Sequence, residues 1–112
     1  MLIKEEIKTK SQELGFSDIG FAQYELLTNE IEKYNLWLQN NYNASMDYLE
    51  RNIDKREDIS LLLENAKTVI VTATNYYQNL NYTHSTKNGK IARYALGEDY
   101  HSTVKNMQDK LI

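Results

Sequence analysis

The sequence of 112 residues contains no cysteine, no proline and only four glycines. Without cysteine, the chain has no disulfide and no thiolate ligand for a metal ion or an iron–sulfur cluster. Four scattered glycines form neither a G-x-G-x-x-G nor a Walker A phosphate-binding loop. No apolar run reaches the ~18 residues of a membrane span, and the N-terminus is too polar for a signal peptide. These absences predict a soluble cytoplasmic protein.

The net charge and the aromatic content exclude further classes of protein. The net charge is −3 and 41% of the residues are hydrophobic, a balance that argues against disorder. An acidic balance also argues against a chain that is wholly a nucleic-acid clamp. Nine tyrosines are unusual for this length, and tyrosine suits both pocket walls and half-buried surfaces. The composition predicts one small domain or a piece of a larger one.

Hydrophobic spacing and helix-end signals predict an α+β fold with a mixed sheet and flanking helices. Five helices are predicted along the chain: one at 2–14, one at about 27–38, two short ones at 46–52 and 59–65, and a last one opening after Asp99. Gly15 is predicted to end the first helix, and Thr28, Ser45, Asp58 and Asp99 are predicted to cap the others. Strands are predicted at 17–22 and 67–77, an exposed loop at 78–88, and an extended segment at 89–96.

The second predicted strand, Lys67–Tyr77, is the clearest element. It is rich in β-branched residues, and its small or apolar residues fall on both faces. This pattern is typical of a central strand that is covered on both sides. The last helix ends on Leu111-Ile112 without a glycine, asparagine or proline stop. That ending predicts that the complete protein continues beyond this chain.

The sequence contains few motifs that indicate a catalytic, metal-binding or ligand-binding site. His84 and His101 are far apart and have no partner at zinc-ligand spacing. The charged run 54–58 is typical of a solvated turn with weak local ion pairs. The segment 89–101 alternates small, basic and aromatic residues and then opens a helix, where backbone amides can face an anion or an amide-rich ligand. An ordinary strand, turn and helix with Asp99 as the cap explains the same pattern, and the residues alone leave the two readings open.

Four blocks, in order and spacing, resemble epoxyqueuosine reductases. They are Leu14–Phe16 with Ile19–Ala22; Met46–Leu49 with Asp54–Arg56, Leu61–Leu63 and Ala66-Lys67; Asn75–Tyr77; and Gly89–His101, the most specific of the four. The resemblance covers nearly the whole chain. It implies that residues 1–112 are the N-terminal part of a cobalamin-binding domain, truncated here, with a fold similar to nitroreductase-like cobalamin-processing proteins.

The resemblance also implies a reaction. Epoxyqueuosine reductases reduce the epoxide of epoxyqueuosine in tRNA to queuosine, using base-off cobalamin and two [4Fe–4S] clusters. The clusters and the tRNA-binding repeats belong to C-terminal parts, and the aspartate proton donor belongs to a later motif. This chain therefore carries no catalytic residue and no metal ligand, and it is expected to be inactive alone and at most a weak, non-specific tRNA binder. The oligomeric state is not predicted.

The resemblance also implies which residues of this chain form part of the cobalamin pocket. The matching positions are Arg56, Ala92, Arg93, Tyr94, Tyr100 and His101. Ala92 is small enough to let the corrin edge or a side-chain amide approach the backbone. Leu96 departs from the pattern, because many relatives have an aromatic residue there. Two other readings remain: a flavin-binding nitroreductase relative, which absorbance of the complete protein would distinguish, and a non-catalytic α+β interaction module.

Overall fold

The computed structural model describes residues 3–79 and 87–112 and has an α+β fold. Six regular elements follow one another along the described chain: α1 Ile3–Glu13, β1 Asp18–Gln23, α2 Thr28–Gln39, α3 Ile53–Glu57, β2 Thr68–Ala73 and α4 Tyr100–Leu111. Short 3-10 turns lie at Asp47–Glu50, Ile59–Leu61 and Arg93–Ala95. Most of the predicted loop 78–88, including His84, lies outside the described residues.

The chain divides into two compact units, and each is described by itself. The central unit is Phe21–Ile70. The terminal unit combines the chain up to Gly20 with the chain from Val71 onward. Both boundaries fall inside a strand, since β1 passes from the terminal into the central unit and β2 passes back.

The sheet is smaller than the sequence predicts. β1 and β2 form a two-stranded sheet in the described part of the chain. The bonds from Ser17 N to Ala73 O (2.8 Å) and from Tyr24 N to Lys67 O (2.9 Å) show that the strands are antiparallel. The prediction of a central, covered strand in a mixed sheet is wrong for these residues, because β2 has one neighbour and Val71 is 58% exposed. β2 also ends at Ala73, well before the predicted Tyr77.

The terminal unit has its core at the end of α1. Gly15 adopts a left-handed backbone conformation (φ +92°), so the chain turns sharply, as the sequence predicts. Phe16 then folds back, and its N–H donates to Ser11 O at 3.0 Å. Phe16 is 5% exposed and is the one buried apolar side chain among the described residues. α1 and α4 pack against each other in this unit.

Side-chain hydrogen bonds join separate segments of the central unit. Tyr34, on α2, donates its hydroxyl to Leu49 O. Asn43 is 2% exposed, and its amide donates to Glu50 Oε1 at 3.0 Å. Tyr24 donates to Asp58 Oδ1 at 2.8 Å, joining the end of β1 to the chain after α3. Buried or half-buried polar groups with such partners avoid the cost of an unmade hydrogen bond.

The predicted caps of the central unit are partly wrong. Asp58 does cap the 3-10 turn that follows it, accepting from Ser60 N at 2.9 Å. Thr28 is instead the first residue of α2, whose N-cap is Leu27 without a side-chain bond. Ser45 is not a cap either, since Met46 occupies that position. The run predicted to be a solvated turn is the short helix α3.

Candidate functional site

The terminal unit brings the end of β2 next to the segment that leads into α4. There the rings of Tyr76 and Tyr94 meet edge to face, with centroids 6.3 Å apart. Tyr94 meets Tyr100 in the same way at 6.1 Å, and Tyr100 stacks on His101 at 4.1 Å. We call these four residues the aromatic row. Edge-to-face and offset-stacked contacts are the geometries that aromatic pairs prefer.

Three hollows adjoin the Tyr94 ring. The first, the row hollow, has a volume of about 350 Å³ and is lined by Thr74, Tyr76, Tyr94, Tyr100 and Val104. The second, the arginine hollow, has about 550 Å³ and is lined by 74–77 and 92–94. The third, the helix-start hollow, has about 410 Å³ and is lined by 94–95 and 97–101. The row hollow is the most apolar of the three.

Arg93 and Ala92 lie on the wall of the arginine hollow. Arg93 Nε donates to the carbonyl oxygen of Gln78 at 3.0 Å, and its guanidinium lies 5.1 Å from the centroid of the Tyr77 ring. These contacts fix a positive charge beside an aromatic face. Ala92 has an extended backbone (φ −60°, ψ 140°), and its side chain is a single methyl group. The segment predicted to be wholly extended forms a 3-10 turn at Arg93–Ala95.

Asp99 and His101 form a pair at the start of α4. Asp99 Oδ1 accepts from His101 N at 3.0 Å, which confirms the predicted cap. The same oxygen lies 2.8 Å from His101 Nδ1. These two hydrogen bonds, the backbone one first, lower the pKa of Asp99 below its ordinary value. Because a carboxylate only accepts, the proton of this bond lies on Nδ1, and Nε2 remains to face the helix-start hollow or solvent.

Arg56 lies in the central unit, in the last turn of α3. Its guanidinium carbon is 5.5 Å from the centroid of the Tyr34 ring, and Tyr34 in turn stacks on Trp37 at 5.8 Å. No ion pair joins Arg56 to the neighbouring acidic residues in the described part of the chain. The structure thus gathers five of the six predicted residues in the terminal unit, and it gives Arg56 an aromatic partner that the sequence did not predict.

Two residues of the site, Tyr76 and Tyr77, were not predicted from the sequence. Tyr76 and Tyr77 belong to a block that carries the resemblance, but they were not proposed as site residues. Tyr76 lines two of the hollows, and Tyr77 faces Arg93. Two features of the sequence could have indicated Tyr76 and Tyr77: the unusual number of tyrosines, and the change from β-branched to aromatic and polar residues after Ala73. Spacing along the chain does not reveal a contact between rings 18 positions apart.

Residues 3–79 and 87–112 contain neither a candidate metal site nor a membrane-spanning helix. Within those ranges, no three side chains of the metal-binding types come together as a metal site. None of the helices in the same ranges has the length and apolar character needed to cross a bilayer.

Comparisons with known proteins agree on one family. The family model described as "Epoxyqueuosine reductase QueG, DUF1730" matches residues 56–112. An epoxyqueuosine reductase of Cyclobacterium marinum is 40% identical over 89% of this chain and 32% of its own length. The Escherichia coli K12 epoxyqueuosine reductase is 34% identical over 97% of this chain and 30% of its own length.

A solved structure of an epoxyqueuosine reductase is also similar to this chain in its fold. The chain resembles the epoxyqueuosine reductase of Streptococcus thermophilus with a TM-score of 0.84 and 29% identity, over 99% of this chain and 30% of that one. The chain therefore spans about a third of the length of these relatives. It belongs to the epoxyqueuosine reductase family.

Proposed function

We propose that this chain is the N-terminal segment of a cytoplasmic enzyme that reduces the epoxide of epoxyqueuosine in tRNA to queuosine. The observation that carries the proposal is the match of nearly the whole chain to an epoxyqueuosine reductase structure at a TM-score of 0.84. The enzyme would use cobalamin and two [4Fe–4S] clusters, and this segment would form one side of a nitroreductase-like cobalamin domain. When bound, cobalamin supplies the reducible cobalt centre for the epoxide.

The hollows of the terminal unit fit one edge of a corrinoid. Cobalamin is large, carries many side-chain amides and one phosphate, and needs apolar walls with a few placed polar groups. The tyrosine rings supply such walls, with hydroxyls at their ends. Ala92 leaves the backbone open to a close approach, and Arg93 supplies a fixed cation. Hollows of at most about 550 Å³ suit one edge of such a ligand, so other parts of the enzyme would complete the pocket.

We assign cobalamin contact to all six residues that the resemblance marks. Tyr94, Tyr100 and His101 would border the corrin edge, with His101 Nε2 offered to an amide or phosphate group. Asp99 would position that imidazole by holding its Nδ1 proton. Arg56 would donate charge-assisted hydrogen bonds to amide or phosphate oxygens.

The iron–sulfur clusters do not fit this chain. Such clusters are held by cysteine thiolates, and the sequence has none. The clusters, the aspartate proton donor and most of the tRNA-binding surface would then belong to other parts of the enzyme.

Cobalamin titration, followed by absorbance, tests the proposal in the complete enzyme that carries this chain. We expect bound corrinoid, iron–sulfur absorbance, and conversion of epoxyqueuosine-containing tRNA when a reductant is supplied. The isolated chain should be inactive, and it should bind tRNA no more tightly than roughly 10⁻⁴–10⁻⁶ M at physiological salt. An oxidised flavin spectrum in the complete enzyme, or turnover by this chain alone, would contradict the assignment.

A further inference from the structure

Two polar side chains, those of Ser17 and Asn75, hold the chain where it leaves β2. The Ser17 N–H donates to Ala73 O at 2.8 Å, and Ser17 Oγ accepts from Asn75 N at 2.9 Å. Asn75 Oδ1 in turn accepts from Tyr77 N at 2.9 Å. An asparagine side chain that accepts from the main chain two residues further on forms a turn of its own. The chain beyond Ala73 is therefore anchored by Ser17 and turned by Asn75.

Two contacts of Arg93 are made by the residues that follow this turn. The Arg93 guanidinium lies 5.1 Å from the centroid of the Tyr77 ring, and Arg93 Nε donates to Gln78 O at 3.0 Å. Tyr77 and Gln78 are consecutive, so one turn sets the direction of both the ring and the carbonyl. Asn75, Tyr77 and Arg93 line the same arginine hollow. The place of the positive charge in that hollow therefore depends on the main chain that Asn75 bends.

We propose that Asn75 is a positioning residue for Arg93, and that Ser17 anchors Asn75. This inference rests on the proposed function, in which Arg93 offers its charge to an amide or phosphate oxygen of cobalamin. A charge-assisted hydrogen bond is strong only when the planar guanidinium has the right direction. Tyr77 and Gln78 restrict the guanidinium before a ligand arrives, so less side-chain freedom is lost on binding. Asn75 contributes to affinity through this restriction and does not itself touch the ligand.

A positioning role and a direct contact use different atoms of Asn75. Positioning uses Oδ1, which accepts from the Tyr77 N–H. A direct contact with a phosphate or carbonyl oxygen would use the amide nitrogen Nδ2, which is a donor. Aspartate keeps the acceptor and lacks the donor, whereas alanine lacks both. Asn75→Asp therefore preserves a positioning role and abolishes a direct contact.

Cobalamin titration of the complete enzyme that carries this chain, followed by absorbance, measures the effect on binding. We expect Asn75→Ala to weaken cobalamin binding roughly 2- to 10-fold, the range for one lost hydrogen bond, and Asn75→Asp to bind like the wild type. In an enzyme that already carries Arg93→Ala, Asn75→Ala should have no further effect, because Asn75 acts through Arg93. Asn40→Ala is the matched control and should bind like the wild type, since Asn40 is an exposed asparagine of the central unit whose side chain also bonds to the main chain.

An NMR measurement on the same enzyme without cobalamin follows Arg93 itself. The Nε–H signal of Arg93 is identified by its loss in Arg93→Ala, and it is sensitive to the Tyr77 ring beside it. We expect this signal to move in Asn75→Ala and in Ser17→Ala, and to keep its wild-type position in Asn75→Asp. Circular dichroism establishes that each variant is folded.

Three results would overturn the positioning role. They are an unmoved Arg93 signal in folded Asn75→Ala, a signal that Asn75→Asp does not keep in place, and additive losses of cobalamin affinity in the double variant with Arg93→Ala. If Asn75→Ala does not fold, Ser17→Ala decides, because an unmoved Arg93 signal in that variant refutes the anchored turn. A wild-type enzyme that does not bind cobalamin refutes the cofactor assignment alone, since the NMR comparison then still decides the role of Asn75.

Discussion

Arg56 is the residue for which a binding role and a structural role predict different measurements. The guanidinium lies 5.5 Å from the Tyr34 ring centroid, and Arg56 is exposed. An exposed cation–π contact is worth about 0.5–1 kcal/mol, so Arg56→Ala should lower the free energy of unfolding by roughly that amount. If Arg56 also donates to cobalamin, losing a charge-assisted hydrogen bond of about 1.5–3 kcal/mol should weaken binding roughly 10- to 150-fold.

The stability can be measured on the 112-residue chain, and the cobalamin affinity on the complete enzyme that carries it. Trp37, the one tryptophan of this chain, stacks on Tyr34 and makes the central unit visible in the fluorescence of this chain during urea unfolding. Cobalamin titration by absorbance gives the affinity. Arg51→Ala is the control, since it removes another exposed arginine of the central unit. Unchanged cobalamin affinity in Arg56→Ala, with or without the small loss of stability, would refute the pocket role and leave Arg56 as a partner of Tyr34.

Three further predictions concern stability. Asp99→Ala should cost about 1 kcal/mol through the lost cap of α4, while Asp99→Asn should lose little because asparagine caps nearly as well; thermal unfolding by circular dichroism compares the two. Hydrogen bonds from Ser60 and then Tyr24 lower the pKa of Asp58, so the stability that they contribute is present above the ordinary carboxyl pKa and is lost as the pH falls through the folded pKa. Acid titrations of wild type and Asp58→Asn should show this loss only in the wild type, and equal acid sensitivity would contradict it. Gly15→Ala should cost about 1–2 kcal/mol through its left-handed backbone alone, since the added methyl group would lie 3.9 Å from Met107 Cε, an ordinary contact; an unchanged urea midpoint would refute this.

The sequence correctly predicted those helix ends that are set by a single residue. Gly15 and Asp99 act through their own backbone or side chain, so their roles can be read from the sequence. Thr28 and Ser45 are of the same cap-forming types, but the chain enters its helical turns at Leu27 and Met46. Propensity does not distinguish such neighbouring positions, because tertiary packing sets the boundary.

Features that depend on distant contacts could not be predicted in this way. α3 has five residues, too few for a stable isolated helix, and it packs against α2. Its charged sequence alone therefore favours a turn. The row hollow likewise depends on Tyr76 meeting Tyr94, and the resemblance predicted Tyr94 and Tyr100 as site residues but not Tyr76.

The open edge of β2 has a consequence for handling the isolated chain. The strand TVIVTA carries no charge and no proline, and in the described part of the chain its only strand neighbour is β1. Flat, uncharged edges of this composition are the ones along which sheets of separate molecules pair and aggregate. We expect the 112-residue chain to aggregate more as its concentration rises. The substitution Val71→Lys should reduce fibril growth, because it places a charge on the exposed strand.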